Sequence, residues 1–175
     1  MHVTIDELLD HLGEERAKWR EWFSVHGDAA LGIALSNETH PSVGALVLHC
    51  FWAELFYAHL VRGETLTRES DIVQQNRDLP DDQADAVFAF GQCAHDAMRM
   101  FADRAGDEEW ERLHEIDGPG IRIEGSARKL VSHILVHEIR HWAQIAMVMR
   151  QNGLAPPGDH DLIFSDSFGV VVERQ

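Results

Sequence analysis

The chain has 175 residues, enough for one domain with a sizeable core, and its 30 Asp and Glu against 15 Lys and Arg give a net charge of −15. Such a surface repels phosphate backbones and anionic headgroups, so no nucleic-acid or membrane partner is expected. The N-terminus has no basic start followed by an apolar stretch, no run of about 18 apolar residues stands out, and Cys50 and Cys93 form no disulfide framework; the expectation is a cytoplasmic protein with two buried thiols.

Thr4 followed by Glu7 has the capping-box spacing, and Ile5, Leu8, Leu12, Trp19 and Phe23 recur at helical intervals, which predicts a first helix over 4–25. The polar stretch from Ser36 to Ser42 separates it from a second predicted helix over 42–62, ended by Gly63. On that helix Ala45, His49, Ala53, Phe56 and Leu60 share one face, so His49 is expected to aim at the core among small and apolar neighbours. A neutral histidine there needs a hydrogen bond or a metal. Glu54 projects about 140° round from His49 and is assigned to the helix edge.

Residues 64–80 are polar and aperiodic, a surface connection with room for one short helical turn. Asp81-Asp82 suits a helix N-terminus, and Val87, Phe90, Ala94, Ala97 and Phe101 mark a third helix to about Ala105, with Gly106 as its stop. Three glycines and a proline surround Ile121-Arg122-Ile123 in the segment 107–125, which reads as a long crossover containing a short extended piece.

The fourth helix is expected to start at the cap Ser126 and run to Asn152, with Gly153 and Pro156-Pro157 behind it. Apolar residues occupy three of its sides: Leu130, Ile134, Ile145 and Val148 beside His137 and His141; Val131, Leu135, Trp142 and Met149; and Val136, Ala143 and Met147. A helix apolar over so much of its circumference is wrapped by neighbours or faces a second subunit, so a homodimer is expected. The tail residues Leu162, Ile163, Phe164, Phe168, Val170, Val171 and Val172 are expected to dock on the helices or on a partner chain.

His137 and His141 stand four residues apart, a rotation of about 400°, so both rings leave one face and can meet at one ion. This is the spacing that places the histidines of a helical H-E-x-x-H motif on zinc. Glu138 projects about 100° away from His137, and a metalloprotease base is not expected there. With two facing histidines on the last helix, His49 becomes a third candidate ligand.

Two stretches, HPSVGALVLHCFWAELFYAHLVRGE and HILVHEIRHWAQIAMVMRQNGLAPPGDHDL, resemble the DinB/YfiT-like superfamily of metal-dependent proteins over about residues 4–165. The matching features are His49, the pair His137 and His141, Gln144-Ile145, Gly153 and Pro156-Pro157 before Asp161; Ala143 replaces a glycine common in the family. The resemblance implies an all-α single domain, residues 1–175, folded as a four-helix bundle in the mirror variant of the up-and-down topology. It also implies that His49, His137 and His141 hold one divalent metal, zinc or nickel first, with iron or manganese as further candidates, and that His133 faces the substrate or supports the ligands. Three neutral imidazoles with an open position suit a catalytic site, because structural zinc is normally closed by four protein ligands. Relatives that transfer low-molecular-weight thiols imply a metal-dependent thiol S-transferase acting on a small-molecule electrophile; a hydrolase and a non-catalytic metal-binding protein are the alternatives. The basic residues available to clamp a thiol cofactor, Arg122, Arg128, Lys129 and Arg140, show no convergence in the sequence, and no catalytic residue is assigned.

Overall fold

The computed structural model describes residues 3–36, 38–67, 69–118, 120–158 and 165–168. Four long helices, α1 (Ile5–His26), α2 (Val43–Val61), α4 (Ala84–Ala102) and α6 (Ala127–Gln151), enclose one hydrophobic core. Two short helices, α3 (Asp71–Asn76) and α5 (Asp107–Glu111), and a hairpin of β1 (Leu113–Gly118) and β2 (Ile121–Ser126) fill the connections. The chain is thus mostly helical with a small two-stranded sheet.

The helix starts are decided locally. Thr4 N–H donates to Glu7 Oε2 at 2.7 Å and Glu7 N–H returns to Thr4 Oγ1 at 3.2 Å, so two otherwise orphaned donors are satisfied together. Ser42 and Ser126 cap α2 and α6 by accepting from Ala45 N–H and Lys129 N–H. Gly63 and Gly153 follow α2 and α6 at φ of 74° and 75°, a left-handed conformation that glycine adopts without strain. The start of α4 differs from the expectation at Asp81-Asp82: its first free N–H, Ala84, is capped from a distance by Asp28 Oδ1 at 3.0 Å. Asp81 instead accepts from Ser42 Oγ at 2.8 Å. Gly106 does not stop α4, which ends at Ala102, but precedes α5.

α2 packs chiefly on α4 and α6, and α1 packs on the same two, so α1 and α2 face each other across the core although they are consecutive in sequence. Stacked indoles of Trp19 and Trp142, 5.3 Å apart, hold α1 to α6, and Phe88 of α4 lies parallel to Trp142 at 6.3 Å. The ring of Phe51 lies over Gly91; a Cβ there would come within 2.5 Å of it, so α2 and α4 approach this closely only with glycine at that point.

Four sequence expectations change. The crossover is not merely extended around Ile121-Arg122-Ile123 but forms a paired hairpin, Leu113 opposite Ser126 and Ile116 opposite Ile123, with Gly120 at φ 75° in its turn. α6 is not wrapped all round: Val136, Ala143 and Met147 are exposed along one strip. The buried face of α2 is Val47, Cys50, Phe51, Glu54, Leu55 and Ala58, which turns His49 to a half-buried flank rather than the core. α2 is also long and apolar enough to cross a membrane by length and composition, contrary to the first impression of the sequence, but its apolar face is spent on α4 and α6. In the tail, Phe168 lies against His11, with ring centroids 6.2 Å apart, and Ser165 and Ser167 donate to Glu14; Leu162, Ile163, Phe164, Val170, Val171 and Val172 lie outside the described residues.

Candidate metal centre

Because α2 and α6 lie side by side, His49 meets the pair His137 and His141 in the groove between them. Nε2 of His137 lies 3.3 Å from Nε2 of His49 and 3.1 Å from Nε2 of His141. All three donor atoms fall within 4.8 Å of one another, a group that could hold a metal ion. A tetrahedral cation with bonds of about 2.0–2.1 Å spans donors about 3.3–3.4 Å apart, which the two spacings from His137 match.

The hydrogen-bonding state of the rings fits a cation as well. A neutral imidazole carries one proton, and His137 has two imidazole nitrogens facing a single Nε2 while its own Nδ1 is buried without a partner among the described residues. No tautomer of that ring satisfies every contact; an ion at Nε2 replaces the close nitrogen pairs by bonds. Burial, followed by the neighbouring His141, His49, His133 and Arg140, lowers the pKa of His137 to about 4, and burial with His40 and His141 does the same for His49. Both rings are therefore neutral at pH 7, with lone pairs available. His141 is oriented by its Nδ1–H, which donates to Gln144 Oε1 at 2.7 Å and leaves Nε2 facing the other two.

A family model described as the DinB family matches residues 1–168. This chain belongs to the DinB family. No curated protein matches it.

Around the histidine group, the DinB-family chain places aromatic and imidazole side chains. His40, from the loop before α2, lies over His49 with ring centroids 4.2 Å apart. That loop is fixed by Leu35 N–H donating to Pro41 O and Val43 N–H to Ile33 O, so His40 is held next to the group. On the other side Tyr57 and His133 lie 5.8 Å apart, and His133 is 5.9 Å from His137. His133 is exposed and stands outside the converging three. His40 and Tyr57 were not singled out in the sequence; the histidine before a proline in a polar loop carries no periodicity that would place it.

Glu138 does not face the histidines. The letters of His137-Glu138-Ile139-Arg140-His141 match H-E-x-x-H, and in that motif too the glutamate directly follows the first histidine, so the 100° angle alone does not exclude a base. Its surroundings do: Glu138 is 1% exposed, accepts from Arg16 Nε at 2.6 Å and from Trp142 Nε1 at 3.0 Å, and is paired through its second oxygen with Arg16 Nη2.

Arg16 is the residue the sequence reading missed. Its guanidinium also donates to Glu54 Oε2 at 2.6 Å and to Gly91 O at 2.9 Å, so one side chain from α1 binds α2, α4 and α6. Glu54, assigned to a helix edge, is fully buried, and its other oxygen lies 3.3 Å from His95 Nδ1. Burial raises the Glu54 pKa, but Arg16 and His95 outweigh it and hold the carboxyl below its usual range. The signal was present: Arg16 falls on the stripe of Leu12, Trp19 and Phe23, Glu54 between Phe51 and Ala58, and Glu138 between Leu135 and Trp142. A charge at a core position on each of three helices is a buried cluster in waiting.

The thiols divide. Cys50 is buried, as expected, and burial together with Glu138 raises its pKa, whereas Cys93 is exposed. Of the basic residues considered for a clamp, Arg122 pairs with Glu115 across the hairpin, and Arg128 donates to Glu111 at 2.8 Å and lies over Trp110. Neither is turned to the histidine group.

Proposed function

We propose that this DinB-family chain is a metal-dependent enzyme in which His49, His137 and His141 bind one divalent transition metal, zinc or nickel ahead of iron or manganese, and a low-molecular-weight thiol is transferred to a small electrophile. The observation that carries the metal reading is the convergence of His49, His137 and His141, with Nε2 of His137 at 3.3 and 3.1 Å from the other two and with the rings of His49 and His137 neutral at pH 7. When bound, such an ion supplies a Lewis-acid position at which a thiol or water loses its proton near neutrality.

The protein's own side chains orient the site. Gln144 fixes His141, α2 and α6 fix the distance between His49 and His137, and His40 on one side and Tyr57 with His133 on the other border the opening with imidazole and phenol. Among the described residues the group that could hold the ion is three histidines with no carboxylate, so a divalent ion there would keep its charge, which favours an anionic group such as a thiolate at the open position. A hydrolase would need a general base beside bound water. Glu54 and Glu138, the buried carboxylates on the two helices that carry the histidines, are both engaged by Arg16, so the hydrolase ranks second and a non-catalytic metal-binding protein third.

The same reading includes a four-helix bundle of the mirror up-and-down kind, a cytoplasmic location, and a homodimer formed through the exposed strip of Val136, Ala143 and Met147. The test is elemental analysis of untagged protein and of His137→Ala, followed by addition of a low-molecular-weight thiol to cobalt-loaded protein. One transition metal per chain, lost in the variant, and a new sulfur-to-cobalt absorption band on adding thiol are expected. No metal even after loading would overturn the site; metal without a thiol band would overturn the transferase.

A further inference from the structure

On the side of the core between α1 and α4 lies a cavity of about 90 Å³ lined by Gly13, Arg16, Ala17, Arg20, Phe88, Gln92 and His95. In a chain with twice as many acidic as basic residues, this lining holds two arginines and a histidine and no carboxylate. Arg16 and His95 are both more than nine-tenths buried, at 6% and 8% exposure. His95 turns Nδ1 to Glu54, and its Nε2 points toward Gly13, where an added Cβ would stand 3.5 Å away.

Gly13 itself is informative. It sits in the interior of α1, where glycine is disfavoured relative to alanine. Gly44 and Gly91 have packing reasons to be glycine, since a Cβ would strike the Asp81 carbonyl at 1.7 Å and the Phe51 ring at 2.5 Å. Gly13 has none: its nearest neighbour is His95 Nε2 at ordinary contact distance. What the missing methyl leaves open is the space in front of that nitrogen.

We infer that this cleft binds a small monoanionic oxyanion, a carboxylate or phosphate group of roughly five heavy atoms or fewer, held by His95 Nε2–H and the Arg20 guanidinium. Arg16 against Glu54 and Glu138 leaves one negative charge in excess in that cluster. Arg20, exposed and without an ion pair among the described residues, and a doubly protonated His95 turn that into one positive charge, which a monoanion neutralises. The Nδ1–H bond to Glu54 leaves Nε2 of a neutral ring without a proton, so anion binding brings one proton with it. The charged groups around His95 are Arg16 and Arg20 on α1, Glu54 on α2, Glu138 on α6 behind Arg16, and Asp96 with the Arg99–Asp10 pair on its own side. This site is separate from the three-histidine group and does not depend on the proposed enzyme activity.

Formate and inorganic phosphate, titrated calorimetrically into metal-loaded protein in buffers of different ionisation enthalpy, test it. Binding with proton uptake is expected. Arg20→Ala removes an exposed charge-assisted donor and should weaken it by about tenfold or more. Gly13→Ala, which suits the helix and fills the space before Nε2, should abolish it while leaving the fold intact by circular dichroism. His137→Ala, which breaks the metal group, should bind as well as the parent. Absence of binding, binding unchanged in Gly13→Ala, or binding lost in His137→Ala would each overturn the assignment.

Discussion

Replacing Arg16 by methionine keeps most of the side-chain volume but removes the guanidinium that faces Glu54 and Glu138, at 0% and 1% exposure, inside the core. Two carboxylates are then buried without that cation, and the Gly91 carbonyl loses its donor. Removing one partner of a buried ion pair costs about 3–5 kcal/mol, a large share of the about 5–15 kcal/mol that holds a typical domain. With a urea dependence of about 2 kcal/mol per molar, the unfolding midpoint should fall by about 2 M. The pH dependence separates this cause from lost packing. In the parent, Glu54 titrates below its ordinary value of 4.5, so its contribution is complete above that pH and is lost as pH falls through the folded value. Without Arg16, burial raises the carboxyl instead; the penalty is then full at pH 7.5 and shrinks toward pH 5 as the group takes a proton. Urea unfolding at the two pH values measures both effects. A loss under about 1 kcal/mol, or an equal loss at both, would refute the view that this guanidinium neutralises the core.

Gly91→Ala forces a methyl against the Phe51 ring at 2.5 Å and should destabilise by about 1–3 kcal/mol in thermal or urea unfolding, the usual range for overpacking. Thr4→Ala breaks the reciprocal bonds with Glu7 and should cost about 1 kcal/mol by the same assay. Under native conditions a thiol reagent should modify the exposed Cys93 at once and reach Cys50 only when denaturant is added; equal rates would mean the core opens readily. Light scattering at micromolar concentration should give a dimer mass, and a monomer would remove the homodimer from the proposal.

Much of this molecule was legible in one dimension because its signals are local. Caps at Thr4, Ser42 and Ser126, stops at Gly63 and Gly153, and the helical recurrence of apolar residues act within a few residues of themselves, so the four long helices lie within a few residues of their expected ends. The pair His137 and His141 was equally readable, since four residues on one helix fix two rings on one face. His49 was expected to aim into the core, whereas it reaches the pair from the flank of α2 where that helix meets α6.

The remaining features depend on which helices become neighbours. Arg16, Glu54, Glu138 and His95 come from four different helices, and only their placement around one core joins their charges into a single network. His40 lies beside His49 because a loop closes over it, and the cleft at His95 exists because α1 presents a glycine to α4. The amino-acid sequence by itself determined the helices, the family and the paired histidines, whose physics is the rotation and end-capping of one helix at a time. The tertiary structure alone decided the three-histidine convergence, the buried charge cluster and the basic cleft, since Coulomb interactions and ligand geometry act over ångströms in space and are blind to separations such as the 122 residues between Arg16 and Glu138.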